Sequence, residues 1–459
     1  MNAQDVLARY AKGERNFRGA NLRGANFKGQ DLSGADFSGA DIRGANFTNA
    51  ILQSACFRGA TAGLTRRSTL IQLIFIAVFS TVAGLLESFA GAVLGFYLLD
   101  SSNSVELIAG VVGLVVIVFV LFAIARQGFT VKALGSIVVV VTVAFMVAAV
   151  IAGAIAGQNA ATVAAAIALA VAGAAAGAIT GAMTGAGAIA GAAAISVTGA
   201  GAVAGAGTGA IAGAMINTFA GTALSLYVAQ RSQKGDEKFA IVRTIGINFK
   251  ASLGTSFSGA NLAKANFSQS CLRETNFANS RQRSTTLTCT CWRESTKLDH
   301  ARLGTSILRN SKVRDLLITL NGRNKDFAGL NLRGANLYGA DLKGANLKRA
   351  IISEADLSRA VLEDINLTEI QAVGTDFTHA YLTGATLEAW NIDSTTVLKD
   401  IDCRYIFLRE QPNALGDRER RPHDPNKTFQ PGDFEKFFKE VLDEVQILIR
   451  NGVNPDAFR

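Results

Sequence analysis

Large apolar side chains return at every fifth residue in NFRGANLRGANFKGQDLSGADFSGADIRGANF, the stretch from Asn16 to Phe47. Nine positions share this spacing: Phe17, Leu22, Phe27, Leu32, Phe37, Ile42, Phe47, Leu52 and Phe57. An amphipathic helix needs apolar residues three and four apart, and a half-buried strand needs them two apart. A period of five fits neither structure. It indicates a stacked repeat, in which each unit buries its face against its neighbours.

A small residue holds a second fixed position in each group of five. Alanine stands two places before the large residue in seven of the nine groups, and the other positions are mostly polar or glycine. We therefore expect each group to form one flat face that turns one large and one small side chain inward. The recurrent glycine fits a corner between faces, where the backbone needs unusual angles.

The pieces GANLRGANF and GADFSGADI resemble the pentapeptide-repeat family, whose motif is written roughly as A-(D/N)-L-x-x. This resemblance implies a right-handed quadrilateral β-helix with four pentapeptides in each coil. Nothing in this first block suggests chemistry. Residues 1–62 are therefore predicted as a short N-terminal helix, which caps the first coil, followed by the first repeat block.

The period of five returns in a second block, predicted over residues 240–402. Its clearest part includes Leu332, Leu337, Leu342 and Leu347. Before that part the frame shifts by one at Leu298, Leu303, Leu308 and Val313, and residues 314–327 fit poorly, which predicts a loop or bulge. Trp390 occupies a position where alanine is usual, so we expect the coil to distort or end there.

The first block is too short to be stable by itself. Nine pentapeptides make little more than two coils, whereas repeat arrays generally need about three units. We therefore hypothesise that the two blocks form one β-helix and that the segment between them is a long insertion. The sequence leaves open whether the helix is continuous across that insertion.

Residues 63–232 are predicted as an inserted α-helical transmembrane bundle. Three apolar runs, Ser68–Leu99, Leu107–Ala125 and Ala133–Gly157, are long enough to span a bilayer, and residues 160–228 carry no charged side chain. Basic residues flank these runs, with Arg66 and Arg67 before the first run and Arg231 and Lys234 after the last. By the positive-inside rule both repeat blocks are expected in the cytoplasm, which requires an even number of crossings, with four favoured over six. The expected location is a bacterial inner membrane or a thylakoid membrane.

Segment 160–229 carries glycines four residues apart, the spacing of a glycine zipper. They are Gly173, Gly177, Gly181, Gly185, Gly201, Gly205, Gly209 and Gly213. Glycines at this spacing make a flat groove along one helix face, which lets another backbone approach closely. Its G-x-G pieces do not indicate a nucleotide site, because neither a preceding strand nor a later acidic residue accompanies them.

Candidates for chemistry are few. Glu87 is the sharpest intramembrane candidate, since buried carboxylates there often mark ion paths. It has no second intramembrane charge as a partner, and the alternative is a carboxylate near a span end or bonded to a neighbouring helix. Cys289 and Cys291 form a C-x-C with His300 nearby, which falls short of the ligands a metal site needs. The sequence therefore predicts no catalytic residue, no metal, no cofactor and no enzyme activity.

The C-terminal part, residues 403–459, is predicted as a polar linker followed by an amphipathic helix. This helix would begin near Asp433 with Phe434, Phe437 and Phe438 on its apolar face. Its simplest role is to cap the end of the β-helix, and the alternative is docking of another protein. The basic run RERRPH, residues 418–423, is either a solvated segment or a contact for anionic lipid.

Two functions remain open at this point. One is a membrane-anchored, non-catalytic scaffold that presents a cytoplasmic β-helix for interaction with proteins, with other copies of itself, or for assembly at the membrane. The other is a channel or transporter whose helical domain conducts. The expected partners are membrane lipid and proteins. Nucleic acid is not expected, because soluble family members that mimic DNA are acidic, whereas this chain has a formal net charge of +9. The architecture is similar to that of membrane pentapeptide-repeat proteins of cyanobacteria.

Overall fold

A computed structural model describes residues 1–100, 104–127, 208–234 and 236–439 of the chain. The chain folds into two compact units. One unit is built from Met1–Gly63 and Gly254–Arg459, and the other from Leu64–Leu253.

The first unit is a parallel β-helix whose coils are joined by bridges between residues twenty apart. Each coil has four faces, and we number them by their first bridges: face 1 Asn16–Asp36, face 2 Asn21–Asp41, face 3 Asn26–Asn46 and face 4 Asp31–Ile51. The large residue of each group follows the bridged residue and points inward. All eleven predicted core residues are buried, from Phe17 to Phe47 and from Leu332 to Leu347.

The ladder continues from the first block directly into the second. The joining bridges are Asn46–Ser256, Ile51–Asn261, Cys56–Asn266 and Thr61–Cys271. The chain between Gly63 and Gly254 is therefore an insertion in one coil of the β-helix. This arrangement supports the hypothesis that the short first block is completed by the second.

Two stacks of aromatic rings run through the core without interruption at the insertion. On face 1, ring centroids are 5.6 Å apart for Phe17–Phe37, 5.3 Å for Phe37–Phe57, 4.9 Å for Phe57–Phe267 and 5.1 Å for Phe267–Trp292. On face 3, the distances are 5.1 Å for Phe27–Phe47, 5.0 Å for Phe47–Phe257 and 5.3 Å for Phe257–Phe277. Trp292 is thus accommodated as an oversized member of its stack.

The β-helix has two segments separated by an irregular stretch. The first segment is formed by residues 16–62 and 255–302, and the second by residues 321–407. Between them lie two short 3₁₀ turns, Leu298–His300 and Ile307–Arg309, and a helix, Ser311–Thr319. The predicted five-residue frame through Val313 is therefore wrong, because Val313 is buried on this helix rather than on a coil face.

Gly322 is an exception to the repeat at the start of the second segment. It occupies a position where a large inward side chain is usual. A Cβ placed on it would come within 2.6 Å of Leu342 Cδ2 and within 3.1 Å of Leu316 Cδ1. Leu342 and Phe327 of the coil and Leu316 of the helix therefore fill together the space that the missing side chain leaves.

Helices close the β-helix at both ends. Helix α1, Ala3–Ala11, begins with a capping box between Asn2 and Asp5 and buries Val6 in the core. Tyr10 donates its hydroxyl hydrogen bond to the Ser33 carbonyl at 2.9 Å. The N-terminal helix is thus a cap on the open first coil, as the sequence predicts.

The C-terminal end is closed by a helix that begins at residue 433 and is described as far as residue 439. Phe434 and Phe438 are buried in the same core cluster as the coils. The Trp390 ring lies 4.9 Å from that of Phe438. The coil does distort near Trp390, since Gln371–Asn391 and Asp376–Val397 are successive bridges and the chain gains one residue between them. The ladder still continues to Phe407.

Residues 403–432 are more ordered than a linker. A two-stranded antiparallel hairpin pairs β1, Ile406–Phe407, with β2, Arg420–Arg421. Because Phe407 is also bridged to Thr386, the hairpin extends the last coil of the β-helix.

The second unit is helical in its described part. Following α1, its helices are α2 Arg66–Gly95, α3 Ser104–Gln127, α4 Thr208–Gln233 and α5 Ala240–Ser252, so that Ser311–Thr319 is α6. A π-helical stretch, Phe96–Asp100, follows α2, and a 3₁₀ turn, Glu237–Phe239, precedes α5. Among the described residues, one segment, Ile211–Ser232, has the length and the mean hydropathy of 1.4 that a membrane crossing requires. The prediction of several membrane spans in residues 63–232 therefore depends on the sequence alone.

Candidate functional site

The point where the insertion leaves the β-helix is the most unusual feature of the coil. Gly63, with a φ of +125°, ends the outgoing strand, and Gly254 begins the returning one. A Cβ on Gly63 would lie 2.8 Å from the Arg273 carbonyl oxygen, and a Cβ on Gly254 would overlap the Glu274 carbonyl oxygen. Both glycines thus pack against the same turn, at the corner between faces 2 and 3. No larger residue fits either position without a shift of that turn.

The fully buried hydroxyl of Thr255 joins the two sides of this junction. It accepts a hydrogen bond from the Gly63 backbone N–H at 3.0 Å and donates one to the Ile42 carbonyl at 2.8 Å. Thr255 occupies the small inward position that most other groups fill with alanine. Its hydroxyl satisfies the Gly63 N–H, which the departing chain would otherwise leave unpaired, and gives the Ile42 carbonyl a second donor beside the Ala45 N–H.

The insertion leaves the five-residue register intact. Bridged residues Thr61 and Ser256 belong to consecutive faces, and only Ala62, Gly63, Gly254 and Thr255 lie between them within the β-helix unit. That is the same number of residues that separates other consecutive bridges, such as Asn16 and Asn21. The insertion therefore interrupts one pentapeptide without changing its length.

Within the inserted unit, α2 and α4 cross at glycines. A Cβ on Gly213 would lie 2.7 Å from Gly95 Cα and would overlap the Gly91 carbonyl oxygen. Of the eight predicted zipper glycines, Gly209 and Gly213 are on α4, and Gly173, Gly177, Gly181, Gly185, Gly201 and Gly205 lie outside the described residues. The close approach joins Gly213 of that set to Gly91 and Gly95 of α2, which lie outside the predicted zipper segment.

Glu87 lies on α2, and its side chain is outside the described residues. The described polar contacts of α2 are elsewhere. Near its start, the buried amide of Gln72 donates hydrogen bonds to the carbonyls of Phe249 and Lys250 at 3.3 and 3.2 Å, and the Phe75 ring lies 5.3 Å from that of Phe249. These contacts hold α5 against the first turns of α2.

On the outer faces, charged side chains are paired between coils. Arg23 contacts Asp41 at 2.6 Å, Lys343 contacts Glu363 at 2.6 Å and Arg349 contacts Glu369 at 2.7 Å. Partners about twenty residues apart lie on adjacent coils, so these pairs run along the axis of the β-helix. The Arg349 guanidinium holds the pKa of the Glu369 carboxyl below its usual value.

Aspartates of the repeats are used in turns. Asp31 accepts hydrogen bonds from the Ser33 hydroxyl at 2.6 Å and from the Ser33 N–H at 2.9 Å, and these bonds lower the pKa of its carboxyl. Asp393 does the same with Thr395. These aspartates therefore stabilise turns of the coil.

The C-x-C motif spans a corner. Cys289 has a φ of +54° and its Sγ lies 3.5 Å from the Glu354 carbonyl oxygen, so it contacts the second segment instead of pointing freely outward. Its burial raises the pKa of the thiol. His300 lies 3.4 Å from Asp299. Among the described residues, no group of three or more His, Cys, Asp or Glu side chains is placed to hold a metal ion.

The basic run at residues 418–421 has a structural role that sequence reasoning missed. Arg418 donates a hydrogen bond to the Thr386 hydroxyl at 2.7 Å and lies 4.1 Å from the centre of the Phe407 ring. Arg420 binds the Asp424 carbonyl at 2.9 Å and lies 4.6 Å from the Tyr405 ring. These arginines fasten the hairpin to the last coils. In the sequence, the aromatic residues Tyr405 and Phe407 were the available sign that these arginines have partners.

A similar contact joins the hairpin to earlier coils. Glu410 pairs with Lys348 at 2.5 Å and accepts a hydrogen bond from the Asn366 amide at 2.9 Å. Both partners, Lys348 first, lower the pKa of the Glu410 carboxyl.

Comparison with known proteins identifies the repeat. The model of the family described as pentapeptide repeats matches eight copies, at residues 16–49, 31–61, 253–279 and 326–364. No curated protein matches the chain.

Solved structures with similarity to the chain are also pentapeptide-repeat proteins. HetL, involved in heterocyst differentiation regulation in the cyanobacterium Nostoc sp. strain PCC 7120, is 13% identical, with 89% of this chain and 97% of HetL covered and a TM-score of 0.23. Rfr23 from the cyanobacterium Cyanothece 51142 is 33% identical over 17% of this chain and 59% of its own, with a TM-score of 0.11. QnrB1, a plasmid-mediated fluoroquinolone resistance protein, is 15% identical over 32% of this chain and 81% of its own, with a TM-score of 0.13.

The family match covers both sides of the insertion and both segments of the ladder, and the geometry of four faces per coil agrees with it. The chain therefore carries pentapeptide repeats on both sides of the insertion, and these repeats build the parallel β-helix with four faces in each coil.

Proposed function

We propose that this protein is a membrane-anchored, non-catalytic scaffold, in which the helical insertion enters the bilayer and the β-helix is presented for interaction or assembly. Pentapeptide-repeat proteins are typically non-catalytic scaffolds for protein interaction. The β-helix suits that role because its paired outer charges and capped ends make a rigid surface.

The observation that carries the anchorage is the exposure of large apolar side chains on the inserted helices. The exposed fraction is 65% for Ile74, 69% for Ile216 and 77% for Phe219. Exposure of large apolar side chains is unfavourable in water, at about 25 cal/mol for each Å², and is typical of helices that contact lipid or protein. With the span-length segment Ile211–Ser232, it supports insertion into a bilayer.

The junction supports a particular topology. Gly63 and Gly254 lie at one corner of the same coil, which supports a topology in which both ends of the insertion start on the same side of the bilayer. The number of crossings is then even, and we propose four, with both repeat blocks on the cytoplasmic side of a bacterial inner or thylakoid membrane. Arg66 and Arg67, close to one end of the insertion, and Arg231 and Lys234, close to the other, agree with this orientation.

Fractionation of membranes tests the anchorage. The full chain is expected in the pellet after alkaline carbonate extraction and to be released by detergent. A variant that joins Gly63 directly to Gly254 serves as the matched control and is expected in the soluble fraction. Release of the full chain by carbonate alone would contradict the proposal.

Affinity purification tests the scaffold role. The detergent-solubilised full chain should recover a reproducible protein partner or a second copy of itself, and recovery of neither would count against that role.

A further inference from the structure

The basic charge of the β-helix unit is concentrated in its first part. Residues 1–63 and 254–320 contain 18 Lys and Arg against 9 Asp and Glu, whereas residues 321–439 contain 16 against 18. The excess is carried by the first segment with its N-terminal cap and by the irregular stretch that follows. The boundary between the basic and the nearly neutral part coincides with the start of the second segment at Asn321.

Within the first segment, one surface has no acidic residue. It comprises three adjacent strips on faces 3 and 4, residues 44–54, 255–264 and 275–289, and we call it the acid-free surface. Its outward residues are mostly Asn, Ser, Thr and Gln, and its charged residues are Lys264, Arg281 and Arg283, all exposed. Acidic residues mark its borders: Asp31 on face 4, Glu274 at the corner of faces 2 and 3, and Glu354 of the second segment, whose carbonyl oxygen lies 3.5 Å from Cys289 Sγ.

Faces 1 and 2 differ from this surface. Most of their arginines contact an acidic neighbour, as Arg43 does Asp41 at 2.7 Å and Arg273 does Glu274 at 3.5 Å, whereas Arg58 bonds the Gln269 side chain. Lys28 and Arg302, on the first and last coils of face 3, extend the unneutralised basic charge at both ends of the acid-free surface.

A loop raises part of this charge above the coil. Bridges Asn276–Arg302 and Asn261–Thr286 show that five extra residues are inserted between faces 3 and 4 of one coil. The loop is anchored on Asn49, which accepts a hydrogen bond from the Ser280 hydroxyl at 2.7 Å and donates one to the Gln282 side chain at 2.8 Å. This anchoring holds Arg281 and Arg283 at a defined place on the surface.

We propose that the acid-free surface binds the headgroups of anionic lipids, so that the β-helix lies against the membrane through this side. The inference rests on the proposed membrane anchorage. The insertion leaves the coil at the corner between faces 2 and 3, so one edge of the surface adjoins the point where the proposed membrane segment begins. A flat, uncharged floor with basic residues around it suits an extended anionic surface better than a single small anion. Basic residues near an anionic bilayer each strengthen binding by on the order of fivefold.

Photocrosslinking in lipid nanodiscs tests the proposal with the full chain. The photoreactive probe is introduced on the exposed loop as Ser284→benzoylphenylalanine. The control variant, Tyr338→benzoylphenylalanine, carries it at an exposed position of the second segment. With phosphatidylglycerol in the nanodisc, the residue at position 284 is expected to form lipid adducts and the control is not. The adducts should decrease at high salt and in pure phosphatidylcholine, because screening and loss of lipid charge weaken the contact.

Charge variants then assign the contact. Lys264→Gln, Arg281→Gln and Arg283→Gln together should reduce the adduct yield at least severalfold, whereas Arg333→Gln, Arg349→Gln and Arg359→Gln together should leave it unchanged. Equal adduct yields at positions 284 and 338, no dependence on lipid charge, or crosslinking to a protein instead of lipid would overturn the inference. Carbonate extraction of the same protein separates the two claims, because a chain that stays in the bilayer without lipid adducts at position 284 loses only this inference.

Discussion

One hydroxyl group holds together the place where the chain leaves and re-enters its coil. Thr255→Val keeps the shape of the side chain but leaves the Gly63 N–H without its acceptor, whereas the Ile42 carbonyl keeps its bond from the Ala45 N–H. We expect a loss of about 1–3 kcal/mol in the free energy of unfolding, measured by denaturant titration. Thr255→Ser retains the hydroxyl and should lose much less. Equal losses in the two variants would mean that packing of the methyl group, not hydrogen bonding, matters here.

The Cys403 thiol gives a residue-scale prediction about pH. Burial raises its pKa to about 12, against an ordinary value of 9.0. A raised pKa in the folded state means that the neutral thiol stabilises the fold below pH 9, and that this contribution is lost as pH rises towards 12. At pH 8.5, iodoacetamide should therefore alkylate Cys403 far more slowly in folded than in denatured protein, as peptide mass spectrometry would show. Rapid labelling in the folded state would show that the site opens.

At the scale of elements, the terminal helices decide where the repeat stops. Phe438 is buried against Trp390 at the end of the last coils. Phe438→Ala should cost about 3 kcal/mol of unfolding free energy, because it leaves a cavity over the coil end. Lys439→Ala, at the neighbouring exposed position, is the matched control in a thermal melt. Similar melting temperatures for the two variants would mean that the helix does not cap the coil.

The crossing of α2 and α4 also belongs to this scale. Gly213→Leu would force the helices apart at Gly91 and Gly95, and we expect a cost of about 1–3 kcal/mol in detergent-solubilised protein. Ile216→Leu, on an exposed part of the same helix, should have no effect. The comparison is made by thermal unfolding monitored by circular dichroism. An unchanged melt of Gly213→Leu would show that the close approach does not stabilise the helix pair.

Sequence reasoning succeeds where one rule repeats and fails where an exception is local. The period of five predicts the inward side chains of both blocks, because each face imposes the same volume on its large and small positions. Val313 was assigned to that period by spacing alone, whereas Asn310 accepts hydrogen bonds from the Lys312 and Val313 N–H groups and starts a helix there. The hairpin escaped notice because its arginines are stabilised by contacts with distant coils, as Arg418 is by Thr386. Such contacts have no signature in the local pattern.

For the whole molecule, the preserved register predicts that the insertion is removable. Joining Gly63 to Gly254 leaves a correct pentapeptide, so the variant without residues 64–253 should fold cooperatively with a β-rich circular dichroism spectrum. A variant that joins Gly63 to Leu253 instead adds one residue to that face and should unfold at a much lower temperature, since a slip of one residue turns inward side chains outward. If the two variants melt alike, register at the junction is unimportant.

The corner at Gly63 and Gly254 affects how such a chain can evolve and be engineered. A guest whose two ends emerge side by side imposes little loop-closure cost on its host, and the host keeps its aromatic stacks whichever guest it carries. The two parts can therefore diversify at different rates, the guest adapting to a new environment while the repeats keep their spacing. The same corner offers protein engineers a place to graft an unrelated domain onto a solenoid midway along its length, leaving both capped ends untouched.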